Sequence, residues 1–118
     1  MGCAIVCATP ALYFFNLIIM TQDFLGKKVI IRGDRSGVFF GTLVAHNGRE
    51  VKLENCRRLW YWSGAASLSQ LAVDGVKNPQ SCNFTVSVSD IVILDAIEVI
   101  LCSEKAIKCI NDVPEWKK

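Results

Sequence analysis

From Lys27 onward, β-branched runs alternate with turn signals along the chain. KKVIIR (27 to 32) and GVFFGTLVAH (37 to 46) are two such runs, and the turn GDRS between them predicts an antiparallel pair. Asn47-Gly48 is the dipeptide best able to take the left-handed conformations of a two-residue type I′ hairpin. EVKLEN (50 to 55) follows, with Val51 and Leu53 alternating against charged neighbours, and RRLWYW (57 to 62) continues as strand. Ser63 is placed to accept hydrogen bonds from the free amides of a following turn. Ala65, Leu68, Leu71 and Ala72 then recur at helical spacing, while Ser67, Gln70 and Asp74 face away, so the pattern predicts a helix from Ser63 to Gly75. VKNPQSCN reads as a loop, and FTVSV alternates Phe84, Val86 and Val88 as a half-buried strand does. IVILDAIEVIL (91 to 101) is long enough for one bulged strand or for two with a bend at Asp95. Ser103 caps a last helix, SEKAIKCIND, with Ala106, Ile107 and Ile110 inward and Pro114 as its stop. The expected fold class is α+β: a β-rich, small barrel-like antiparallel sheet of about six strands, with a central helix and a short C-terminal helix.

Composition modifies that picture mainly at the N-terminus. At 118 residues the chain fits a single domain. Residues 1 to 20 carry no Lys, Arg, Asp or Glu, which divides the chain into an uncharged extension, 1–20, and a ligand-binding domain, 21–118. The extension is close to the roughly 20 apolar residues that span a bilayer, but Pro10 and Asn16 interrupt it and no basic region precedes it. Val6 stands where a myristoylation motif wants Ser or Thr. Three readings remain: an over-extended start with translation naturally beginning at Met20, a membrane anchor or signal-like segment, or an apolar element packed on the domain or on a partner. A membrane is not the expected partner.

The six cysteines form no CxxC, and the single histidine, His46, stands alone, so neither a zinc site nor another cofactor is expected. Cys56, Cys82, Cys102 and Cys109 sit in apolar or helix-like surroundings, as free thiols do in a reducing cytoplasm. A net charge of +2 is too small for a polybasic DNA-binding surface, so an anion site has to be local. The sequence also lacks HExxH, GxSxG, a P-loop and a carboxylate pair placed for acid/base work, and no enzyme is expected.

Local chemistry concentrates at Asn55 to Val76. Strand alternation places Arg58, Trp60 and Trp62 on one face and Arg57, Leu59 and Tyr61 on the other. The bland reading makes one face core and the other helix-covered, with each Arg laid along an indole. Against it, adjacent arginines need partners on both faces, and Ser63-Gly64-Ala65-Ala66 leaves a helix start open to an anion. Flat aromatics beside guanidinium groups combine base stacking with charge-assisted phosphate contacts. Together these residues suggest a phosphate-plus-base cradle.

From about Phe24 to Trp116 the chain resembles a family of small phage and prophage proteins. The resemblance is carried by IIRGDRSGVFFGTLV, NGREVKLENCRRLWYWSGAASLSQLAVDGV, IVILDAIEVI, and EKAI with Trp116. The group looks like the phage anti-Thoeris proteins, sponges that bind a cyclic ADP-ribose signal, and in some relatives cyclic oligonucleotides, without cleaving them. The resemblance implies an anti-defence protein of the host cytoplasm, homo-oligomeric, with a cyclic nucleotide as its ligand. The candidate ligand-binding residues are Arg32, Ser36 and Gly37 in the first turn, Arg57, Arg58, Trp60, Trp62, Ser63 and Gly64 in the central block, and Phe84. The strand pattern also resembles the start of an Sm-like or SH3-like barrel, and the rival expectation is such a module binding RNA or a protein partner.

Overall fold

The computed structural model describes residues 20–118, so the readings attached to the uncharged segment before Met20 lie outside the described residues. A 3₁₀ turn at Gln22–Phe24 leads into β1 (Lys28–Gly33), β2 (Val38–Asn47) and β3 (Glu50–Tyr61). Helix α1 (Leu68–Asp74) and a second 3₁₀ turn, Pro79–Ser81, follow. The chain finishes with β4 (Asn83–Phe84), β5 (Val88–Ile93), β6 (Ala96–Leu101) and helix α2 (Glu104–Asp112).

All pairings between these strands are antiparallel, in the order β4-β3-β2-β1-β6, with β5 also on β3. The twelve residues of β3 serve two partners along one edge: Val51 to Cys56 pair with β5, and Leu59 to Tyr61 with β4. Only Leu94 and Asp95 separate β5 from β6, which lie on opposite margins of the path. That short link requires the sheet to curl towards a barrel.

Each face of the curled sheet buries its own core. Ile30, Phe40, Leu59 and Phe84 pack under Leu71 and Ala72 of α1 and Ala106 and Ile110 of α2. Val29, Ile31, Phe39, Leu43, Val51, Leu53 and Ile93 fill the concave side. The unbroken run Val29-Ile30-Ile31 follows from this, since a strand covered on both faces has no polar side.

A bulge sets the phase of β3. Phe40 pairs with Arg57 and Thr42 with Glu54, leaving Gly41 opposite both Asn55 and Cys56. Asn55 takes φ 51°, a left-handed conformation that Asn tolerates better than most residues. A Cβ on Gly41 would lie 3.1 Å from the Cys56 Cα, so a larger residue there would press directly on the bulge.

Three local expectations change and one open alternative is settled. Asn47 pairs with Glu50, so the hairpin loop is Gly48-Arg49; of these only Gly48 has positive φ, 62°, which suits a type II′ turn rather than type I′. The central helix starts at Leu68, not after Ser63: Ser67 is its cap, accepting from the Gln70 amide at 3.1 Å. FTVSV does not form one strand, because Thr85 to Ser87 lie between β4 and β5. IVILDAIEVIL resolves into two strands bent at Asp95. Ser103 caps α2 as the sequence predicts, accepting from the Ala106 amide at 3.0 Å.

Candidate functional site

Register separates the two central arginines. Ile30, Phe40 and Arg57 stand opposite one another across three strands, as do Ile31, Phe39 and Arg58 in the next row. Consecutive rows point to opposite faces, so Arg57 goes beneath the helices and Arg58 to the rim of the concave face.

Arg57 is only 6% exposed. Its guanidinium donates to the carbonyls of Thr85 at 2.9 Å (Nε), Ile110 at 2.8 Å (Nη1), and Phe84 at 3.1 Å and Pro114 at 3.3 Å (both Nη2). Burial lowers its pKa, and the Glu115 carboxylate partly offsets that. Expected to face a phosphate, Arg57 instead joins β3, the β4 segment and the end of α2. Phe84 is likewise withdrawn from any ligand: it is fully buried, with the Arg57 guanidinium 5.6 Å from its ring centroid.

Arg58 is exposed. Its guanidinium lies 4.8 Å from the Phe39 ring centroid, at the wall of a hollow of about 270 Å³. Cys56, Thr85, Val86, Val88 and Ile91 complete the lining. The Arg58 amide donates to Thr85 Oγ1 at 2.9 Å and the Thr85 amide donates to the Arg58 carbonyl at 3.0 Å, fixing the backbone on both sides of the opening. Burial raises the Cys56 thiol to about 11, so this wall is neutral at physiological pH. Trp60, two residues along the strand from Arg58, is 65% exposed. The site thus presents a cation over an aromatic ring, a mostly apolar cleft and an exposed indole nearby on the strand, parts suited to stacking and anion contact.

The other sequence candidates stand apart. Trp62 packs partly against the helix-side core. Ser63 and Gly64 do not begin a helix: their carbonyls accept from the Asn78 and Lys77 amides at 3.4 and 3.3 Å, and the Ser63 hydroxyl accepts from Asn78 Nδ2 at 3.1 Å. Those bonds tie the segment before α1 to the one after it, which a helix beginning at Ser63 would prevent. Arg32 is exposed in the row of Val38 and Glu98, on the sheet face opposite that of Arg58. Ser36 is held by Asp95, whose carboxylate accepts from the Ser36 hydroxyl at 2.5 Å and from the Arg35 and Ser36 amides at 2.8 and 3.1 Å. The Ser36 hydroxyl bond is the largest of the contacts that lower the Asp95 pKa. Gly37, with φ 113°, completes this turn.

Of the predicted set, then, Arg58 borders the hollow, Trp60 is exposed two residues further along β3, at the register shift between Leu59 and Tyr61, and the rest are distributed elsewhere. Phe39, Thr85, Val86, Val88 and Ile91 are lining residues missed from the sequence. The two aromatics at 39 and 40 were a usable signal, because in a strand one of them has to face away from the other.

The family model described as "Domain of unknown function (DUF6948)" matches residues 26–110. No curated protein matches the chain. Among solved structures, a heptameric archaeal Sm protein is similar at 16% identity, over 70% of this chain and 94% of that one, with a TM-score of 0.45.

Proposed function

The chain belongs to the DUF6948 family, and for this member we propose nucleotide sequestration: a cyclic nucleotide signal of the cyclic ADP-ribose type is bound at the Arg58 hollow, near Trp60, without being cleaved. The observation that carries the reading is the exposed Arg58 guanidinium, laid on Phe39 at the edge of an apolar hollow with Trp60 on the same strand. A phosphate meets the cation, and a base finds the indole and the apolar wall. In this reading the protein is an anti-defence protein of a phage, acting in the host cytoplasm. Incubation with a panel of cyclic nucleotides, followed by heat release, tests it. An intact ligand is expected, bound at least about tenfold more weakly by Arg58→Ala, since a charge-assisted contact is lost. A cleaved ligand, or none across the panel, overturns the reading.

Self-association is part of the proposal. Among the described residues β5 pairs only with β3 and β6 only with β1, leaving one free edge each. The segment from Val86 to Ser103 contains no Lys, Arg or Pro, the residues that commonly protect such edges. Val88, Val92, Leu94, Ile97 and Leu101 are exposed there, and pairing of the two edges between copies would cover them. The same edges favour the rival, a module that takes RNA or a protein strand. Binding of single-stranded RNA across several copies, with no nucleotide retained, would establish that rival instead.

A further inference from the structure

The bulge in β3 has a second effect, on the face opposite Arg58. It turns Asn55 out of the concave side and towards Arg57, and these two share a separate hollow of about 190 Å³ with Lys28, Ser87, Asn111, Val113 and Glu115. Bulges re-aim side chains, and they are enriched beside binding sites. Here the bulge residue is Asn55, the sole non-glycine residue with positive φ among those described.

The lining is rich in hydrogen-bonding capacity that the fold does not use. Among the described residues the side chains of Lys28, Asn55, Ser87 and Asn111 make no hydrogen bond, in contrast with the Asp95 carboxylate or the Ser103 hydroxyl, which are fully engaged. Arg57 contributes too. Its four carbonyl contacts use four of five N–H groups, leaving one on Nη1. Two cations and three neutral hydrogen-bonding groups therefore line the hollow together with the single carboxylate of Glu115, which also pairs with Lys117 Nζ at 3.5 Å. The Lys28 ammonium, 5.4 Å from the Phe40 ring centroid, is held over the same row of the sheet as Arg57.

We propose that this hollow is a phosphate-binding site, distinct from the Arg58 face, in which Lys28 supplies the principal charge and Asn55 and Asn111 donate to the anion's oxygens. Arg57 holds the floor, and Glu115 is placed to accept from a hydroxyl carried by a phosphate ester. A tetrahedral oxyanion suits donors converging from three chain segments better than a planar carboxylate does. The ligand is therefore inorganic phosphate or a small sugar phosphate.

The test is titration of the full chain with inorganic phosphate and, separately, ribose 5-phosphate, at constant ionic strength set with chloride. Side-chain amide signals of Asn55 and Asn111 are followed by NMR. Saturable shifts at both are expected, weakened roughly tenfold or more in Lys28→Gln and unchanged in Arg58→Ala. Tighter binding of ribose 5-phosphate assigns a phosphate ester, and equal binding assigns the free anion; both uphold the site. Shifts that fail to saturate, that persist unchanged in folded Lys28→Gln, or that move with Arg58→Ala overturn it. The Arg58→Ala arm also separates this site from the proposed nucleotide face, since either can fail alone.

Discussion

Arg57 and Arg58 are neighbours with the same side chain, yet the fold uses them in opposite ways. Removing Arg57 leaves the carbonyls of Phe84, Thr85, Ile110 and Pro114 without their shared donor. Arg57→Met is expected to cost about 3 kcal/mol or more, and Arg58→Ala about 1 kcal/mol or less, in urea denaturation. Equal losses would contradict the division of roles. Thiol chemistry follows burial in the same way. Desolvation raises Cys56 to about 11 and Cys102 to about 12, so at pH 8 both are overwhelmingly thiol. Native-state labelling should leave both unmodified, and unfolding in urea should expose them. The Asp95 carboxylate has a folded pKa below its ordinary 3.8, so the stability of the β1–β2 turn is fully present above that value. It is lost as pH falls through the depressed folded value. Amide exchange at Arg35 and Ser36 should accelerate over that acid range, and Asp95→Asn should abolish the dependence.

Helix α1 has seven residues, too few to persist without its ends being tied down. Ser67 and Gln70 form a variant of the capping box, in which the Gln70 side chain accepts from the Ala66 amide at 2.7 Å. At the other end Gly75 has φ 77°, and a Cβ there would sit 2.6 Å from Cys109 Sγ. Ser67→Ala should cost about 1 kcal/mol and Gly75→Ala about 2 kcal/mol or more, while Ser63→Ala, which removes no cap, should cost less than Ser67→Ala. Thermal melts of the three variants check the order. A larger loss at Ser63 would restore it as the start of the helix.

For the molecule as a whole, the outcome depends on the two free margins of the sheet. A lysine on an edge strand opposes strand pairing with a second copy because it has to be desolvated there. Val92→Lys, at a half-exposed position on β5, is expected to convert an oligomer to a monomer without changing its circular dichroism. Light scattering after size exclusion checks this, and a wild-type chain that is monomeric at all concentrations would remove self-association from the proposal. Since the Arg58 hollow includes Val88 and Ile91 of β5, assembly along this strand would also change access to the nucleotide face.

Local chemistry alone determined the α+β class, the β1–β2 pair and the cap of α2 at Ser103, whereas the choice between one bulged strand and two bent at Asp95 was decided by the contacts of Asp95 with Arg35 and Ser36. The first three each depend on a few adjacent residues, so pattern and propensity suffice. The start of α1 was also legible, as Ser67 with Gln70, but Ser63 offered a competing cap, and only the bonds from Lys77 and Asn78 to the Ser63–Gly64 segment exclude it. The roles of Arg57 and Arg58 were decided by tertiary structure. Alternation placed them on opposite faces, but which face lay beneath the helices depended on the bulge at Asn55 and on carbonyls up to 57 residues away. The proposed nucleotide and phosphate sites are of the same kind. Both combine residues from β3 with the segment after β4, and a one-residue shift in the bulge would exchange the side chains presented to each.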